Sequence, residues 1–303
     1  MNASELRQRL KPWMLPAAML CGFLFHSHIS VVAFLTPYLI FVMLFITFCR
    51  IDPREFRLSP MLGWLLLVQV AGALLLYAAI LPLSPDVAQA VFICVFCPTA
   101  TAAPVVTGML GGSVTRLVTY SFISNVTVAA LAPAILAAIG TDGVDITATA
   151  LSIMAQVGPL IFLPLAAALI MRRVTPRLHK AVGSHQALSF YIWAISLFIV
   201  VGRSVSFIMA EPPSRAPEII IMALAAGAVC ILQFWIGRRV GRRYGDPVSG
   251  AQGLGQKNTV LAIWIALTYL NPIASVGPAA YIAWQNTINS VQLYYRTSRH
   301  CDK

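Results

Sequence analysis

Along this chain, apolar runs alternate with short polar knots that hold most of the arginines. A helix needs about 20 apolar residues to cross the hydrocarbon core of a bilayer. The alternation therefore predicts ten membrane-spanning helices, over roughly 13–30, 34–49, 60–80, 84–110, 113–139, 147–171, 187–209, 217–237, 247–271 and 273–295. No polar stretch is long enough for a soluble domain, so residues 1–303 read as one integral membrane unit. Arg7, Arg9 and Lys11 followed by apolar Trp13–Phe25 have the shape of a signal peptide. No small-residue cleavage site follows and a second apolar run comes at once, so the segment is read as a retained first helix.

Two of the ten runs are interrupted. In the ninth stands Gly253-Leu254-Gly255-Gln256-Lys257-Asn258-Thr259, and in the fourth Cys97-Pro98-Thr99-Ala100-Thr101-Ala102-Ala103-Pro104. Paired glycines with three polar residues, and two prolines six apart, both disfavour a continuous helix. They suit helices that break inside the membrane and resume. Four and nine are equivalent positions of two five-helix halves. Five is odd, so the second half enters from the opposite face, which is the pattern of an inverted repeat. The fold expected is all-α: ten transmembrane helices in two inverted five-helix repeats, with helices four and nine broken and crossing at mid-membrane.

Composition agrees with the pattern. The chain is 59% hydrophobic and 10% charged, against about 25% charged residues in soluble domains. The net charge of +11 invites a nucleic-acid reading, but the cations sit where a bilayer reads them. With the N-terminus inside, 18 of the 21 lysines and arginines fall on the inner side. These are Arg7, Arg9 and Lys11; Arg50, Arg54 and Arg57; Arg116; Arg172, Arg173, Arg177 and Lys180; Arg238, Arg239, Arg242 and Arg243; and Arg296, Arg299 and Lys303. Only Arg215 is clearly outside, while Arg203 lies near an outer helix end where its side chain can snorkel. The positive-inside rule then puts both termini in the cytoplasm and the protein in the cell's inner membrane. The six cysteines form no framework. Cys94 and Cys97 have redox-motif spacing but no βαβ pattern around them, and are read as buried apolar groups.

Lys257 is the only strongly charged residue near the centre of a run. A charge there costs roughly 2.5–3.5 kcal/mol on insertion scales, so it requires partners. All ten acids fall in loops, tails or span ends, which leaves the free carbonyls of the first half of helix nine, and Gln69, as the expected neighbours of Lys257. At a broken helix the second half presents free N–H groups that favour an anion, and the first half presents carbonyls that favour a cation. Thr99 and Thr101 at one break, and Asn258 and Thr259 at the other, add hydroxyls and an amide. Gln285 and Asn286, with Asn289 and Ser290, form a polar cluster in helix ten. No His-Glu, Ser-His or aspartate pair lies within a span, so no enzyme and no cofactor is expected.

At these breaks the chain resembles the bile acid:sodium symporter family. That family reads Cys-Pro-Gly-Gly-Thr-Ala-Ser-Asn at its helix-four crossing. Here Cys97-Pro98 and Thr101-Ala102 match, whereas Thr99-Ala100 and Ala103-Pro104 depart. At the helix-nine crossing it reads Glu-x-Gly-x-Gln-Asn-x-x-Leu-Ala. Gly255, Asn258, Leu261 and Ala262 match, Gly253 stands for the Glu and Lys257 for the Gln. Trp284-Gln285-Asn286 is similar to a Trp-x-Asn of helix ten, and Gln69 to a helix-three glutamine at the second sodium site. The resemblance implies a core of helices three to five and eight to ten (59–146 and 210–303) and a panel of helices one, two, six and seven (1–58 and 147–209). It also implies alternating access with organic-anion substrates.

The departures fall on sodium ligands. Of the helix-five ligand positions, Ser121 keeps a hydroxyl and Leu117 does not. The expectation is a sodium-independent transporter of a small organic anion. Thr99, Thr101, Asn258, Thr259, Gln285 and Asn286 would face the substrate, and Lys257, with Gln69 and Ser121, would stand in for the cation. Its partners are the substrate and the bilayer, not nucleic acid. The alternatives are an arsenite-type efflux permease of the same architecture, using Cys94 and Cys97, or a non-transporting sensor.

Overall fold

The structure, a computed structural model, describes residues 14, 17–49, 56, 58–100, 102–140, 146–184 and 186–301. Thr101 lies outside the described residues, as do Arg7, Arg9, Lys11, Arg50, Arg54, Arg57 and Lys303 among the inner cations. The chain is almost wholly helical. Helix α1 covers 17–24. It is followed by α2 (Thr36–Cys49), α3 (Pro60–Ile80), α4 (Pro85–Phe96), α5 (Ala103–Met109), α6 (Val114–Gly140) and α7 (Ile146–Val174). The second part comprises α8 (Pro176–Ser184), α9 (Gln186–Ala210), α10 (Ala216–Arg243), α11 (Pro247–Gly255), α12 (Thr259–Tyr269) and α13 (Val276–Cys301). No strand occurs among the described residues, only one isolated bridge between Thr99 and Lys257.

Among the described residues, five helices are long and apolar enough to cross a membrane, over Pro60–Ile80, Val114–Ile139, Thr147–Val174, Tyr191–Ala210 and Pro213–Arg243. Their outward faces are hydrocarbon: Leu67, Leu74 and Leu75 on α3, and Leu224, Ile231 and Trp235 on α10, are all exposed. Apolar surface of this extent is unfavourable in water and suits lipid. The protein is a membrane-embedded helical protein.

Local chemistry sets the ends of the shorter helices. Ser84 caps α4 by accepting from Val87 N at 3.3 Å, with Pro85 in the first turn. Asp246 does the same for α11, accepting from Ser249 N at 3.1 Å ahead of Pro247. Proline at the start of a helix loses nothing, because that N–H has no intrahelical acceptor. Two glycines with positive φ close the turns that precede α6 and α11, Gly111 (φ 77) and Gly245 (φ 72). After α10, Asp246 N donates to Gly241 O and Gly245 N to Arg242 O. After α5, Gly112 N donates to Thr107 O and Gly111 N to Gly108 O. Both are Schellman caps, which need the left-handed residue that glycine supplies.

Helix α10 packs along α11 and also touches α4 and α13. The α10–α11 contact is backbone to backbone: a Cβ on Gly237 would run into the Gly250 carbonyl, and one on Gly250 into the Gly237 carbonyl. Small residues four apart on α10, Gly237 and Gly241, make this approach possible. Elsewhere α3 lies on α4, α6 on α7, and α2 on α7 and α9. The interior holds two main apolar clusters, one including Phe92, Phe96, Val260 and Tyr281, the other including Leu65, Ala100, Leu117, Tyr120 and Leu254. The two helix breaks run between them.

Candidate functional site

Helix α4 stops because Pro98, lacking an N–H, cannot continue it, and α5 resumes at Ala103 with Pro104 in its first turn. Helix α11 stops at Gly255, where a Cβ would collide with the Phe234 ring of α10. Asn258 then starts α12 by accepting from Leu261 N at 3.3 Å. The two breaks pair with each other. Ala100 N donates to Gln256 O at 2.9 Å and Asn258 N to Pro98 O at 2.8 Å, on either side of the Thr99–Lys257 bridge. Backbone that leaves a helix here finds its hydrogen-bond partners in the other break, which is the condition for irregular backbone away from water.

Five side chains, Gln69, Thr99, Gln233, Lys257 and Tyr281, close the carbonyl ends of α4 and α11. The last carbonyls of α4 have no acceptor role within the helix, yet none of those from Cys94 to Cys97 is idle. Cys94 O accepts from Gln233 Nε2 at 3.3 Å, and Val95 O from Lys257 Nζ at 2.8 Å. Gln69 Nε2 reaches both Phe96 O, at 2.8 Å, and Cys97 O, at 3.2 Å. Its other end accepts from Tyr120 Oη at 2.7 Å and Ser124 Oγ at 2.9 Å, which fixes the amide's orientation. On α11, Gly253 O accepts from Thr99 Oγ1 and Gly255 O from Tyr281 Oη, both at 2.8 Å. Gln285 Oε1 accepts from Lys257 N at 2.9 Å.

Of the residues singled out in the sequence, Thr99, Lys257, Asn258, Gln69 and Gln285 are therefore joined in one buried network. Lys257 is 1% exposed and has no carboxylate partner among the described residues. Its position corrects one expectation. The amine goes to the carbonyl end of α4, not to that of its own broken helix, because the antiparallel pairing carries residue 257 across to the partner break. Gln69 serves the same helix end without bonding to the lysine.

Thr259 is buried, and its Oγ1 has no partner among the described residues. Ser121 is buried too; its carbonyl accepts from Asn125 Nδ2 at 2.8 Å, and its side chain joins none of these bonds. Asn286 is half-buried and stands apart from the network. Sequence reasoning missed Gln233, Tyr281, Tyr120 and Ser124, which complete the caps. For Gln233 a signal was available, a lone amide inside an apolar run. Tyrosines carry no such mark.

A second set of polar contacts ties each broken helix to the turn beyond the other. At one end Asn271, after α12, donates from Nδ2 to Asp86 Oδ1 at 2.7 Å and from its backbone N to Gln89 Oε1 at 2.8 Å. Arg215 pairs there with Asp86, Glu211 and Glu218. At the other end Ser113, after α5, donates from its backbone N to Asp246 Oδ2 at 3.3 Å, and Ser249 Oγ donates to Ser113 O at 3.1 Å. Neither the models of known protein families nor the curated proteins give a match to this chain.

Proposed function

We propose that this chain is a secondary transporter of a small organic anion, similar to the bile acid:sodium symporters in architecture but independent of sodium. One observation carries the reading. The carbonyl end of α4, where a cation would be favoured, is closed by protein donors, one of them the amine of Lys257. An ammonium there balances the same partial charge as a bound ion and cannot dissociate with a gradient. The starts of α5 and α12 lie beyond the same breaks, and the positive ends of their helix dipoles favour an anionic group, although Ala103 N, Val105 N and Leu261 N already donate to Ala100 O, Ala102 O and Asn258 Oδ1.

On this reading the chain has ten spans in two inverted repeats. Spans four and nine are α4 with α5 and α11 with α12, and spans five, eight and ten are α6, α10 and α13. The support is the likeness of the two broken helices. Each starts at a capped proline, each stops after one turn of buried apolar surface or more, and each is gripped at its start by the turn beyond the other. Support for a division into core and panel comes from the packing of α10 on α4, α11 and α13 and of α2 on α7 and α9, while α6 on α7 joins the two groups. The cation asymmetry of the sequence supports an orientation with both termini on the cytoplasmic side of the inner membrane.

The test is counterflow in proteoliposomes loaded with small organic acids, mono- and dicarboxylates, with sodium or choline as the cation. Exchange that is equal in the two salts supports the reading; no exchange of any acid argues for a non-transporting protein. Arsenite resistance dependent on Cys94 and Cys97 would favour the efflux alternative. For topology, a cysteine at Ser214 is expected to be labelled from outside and one at Lys180 to be protected.

A further inference from the structure

Most polar side chains at the crossing are used to hold it together. Thr99, Lys257 and Asn258 each cap a helix end or a free carbonyl, and Gln285 accepts from the Lys257 backbone. Gln256 is different. Its backbone is fully engaged, N donating to Gln252 O at 3.1 Å and O accepting from Ala100 N at 2.9 Å. Its side chain is 3% exposed, and among the described residues the amide oxygen has no partner. Gln233, Gln252, Asn125 and Asn289 also leave one amide atom unpaired, but each is anchored through its other atom. Among the described residues, no hydrogen bond anchors the Gln256 amide at either atom. Three residues on, the Thr259 hydroxyl is likewise buried and has no partner among the described residues.

A buried amide oxygen without a donor is unfavourable, and leucine or methionine would fill the same volume without that penalty. A group fixed in place by its backbone, yet unsatisfied, is suited to meeting a partner that comes and goes. An amide carbonyl can only accept. We infer that Gln256 is a ligand-reading residue of the crossing, whose side-chain carbonyl accepts from a hydroxyl or ammonium group of the bound acid, with the Thr259 hydroxyl as a second contact. The ligand is then a hydroxy or amino acid, not a plain carboxylate. This rests on the organic-anion reading above and narrows its substrate class. A site built to bond a substrate hydroxyl rejects the analogue lacking it more strongly than an apolar pocket can discriminate.

The experiment uses matched probes on purified full-length protein: lactate against propionate, malate against succinate, and erythritol as a neutral hydroxyl donor. Affinities come from thermal-shift titrations of the native protein and of Gln256→Met. The native protein is expected to bind the hydroxylated member of at least one pair ten-fold or more tighter. In Gln256→Met the ratio should fall to within about two-fold, with affinity for the plain acid unchanged. No discrimination in the native protein, or discrimination kept in the variant, overturns the inference and leaves the anion reading standing. If erythritol alone binds, the anion reading falls and the hydroxy- or amino-acid ligand inferred from it falls too. Binding of none of the probes overturns both. Without ligand, Gln256→Met should melt no lower than the native protein. A fall of more than about 5 °C, or failure to fold, would mean that the amide is structural and would also overturn the inference.

Discussion

Thr99 and Lys257 face each other across the bridge between the two breaks, and each donates to the helix that the other belongs to. Thr99 Oγ1 bonds to Gly253 O in the last turn of α11, and Lys257 Nζ to Val95 O in the last turn of α4. The exchange locks two broken helices together using carbonyls that neither could satisfy alone. It also means that the lysine's partner is decided by the pairing of the breaks and not by its own helix.

Removing one member of that exchange should leave a buried carbonyl unpaired. Lys257→Met, which keeps the volume, and Thr99→Val are each expected to destabilise the protein by about 1–3 kcal/mol. The two residues share the bridge, so their effects should be non-additive in a double-mutant cycle. Equilibrium unfolding in detergent is the measurement; two additive losses would show that the caps act independently.

Gln69 links α3, α4 and α6 through four hydrogen bonds. Gln69→Leu is expected to be the most damaging single polar-to-apolar change in the network, exceeding the loss in Lys257→Met. Gln69→Glu keeps the acceptors for Tyr120 and Ser124 but turns a carboxylate towards two carbonyls, so it should rescue nothing. A melting temperature for Gln69→Glu near that of the native protein would contradict this orientation of the amide.

The α10–α11 contact leaves no space for side chains at Gly237, Gly250 and Gly255. Gly250→Ala and Gly237→Ala meet backbone, which cannot yield, whereas Gly255→Ala meets the ring of Phe234. Phe234→Leu should therefore recover part of the stability lost in Gly255→Ala and none of that lost in Gly250→Ala. Thermal unfolding of the three single and two double variants decides it.

Sodium should have no saturable effect on acid binding by the native protein when ionic strength is held constant. Introducing the ligand residues of the bile acid:sodium symporters needs more than Lys257→Gln with Gly253→Glu. A Cβ on Gly253 lies 3.0 Å from the Tyr120 ring and 3.4 Å from Leu65. The double variant is expected to fold poorly, and sodium-dependent binding to emerge only when Tyr120→Ala is added. Sodium-dependent binding by the native protein would overturn the role given to Lys257.

The breaks in the fourth and ninth apolar runs could be read from single residues. Proline lacks an N–H and paired glycines with polar neighbours weaken a helix wherever they stand, so Pro98 and Gly253–Asn258 announced themselves. Caps such as Ser84-Pro85 and Asp246-Pro247 are equally local, because donor and acceptor lie within four residues. The partners across the breaks are not. Val95 for Lys257, Gly253 for Thr99 and Phe96 for Gln69 are separated in sequence by 162, 154 and 27 residues. Nothing local distinguishes one helix end's carbonyls from another's, so the sequence led to the wrong one for Lys257. The unsatisfied amide of Gln256 is non-local in the same way. An unpaired group is defined by everything that surrounds it, and only the packing of α3, α6, α10 and α13 around the crossing decides which polar side chains hold the fold and which are left over.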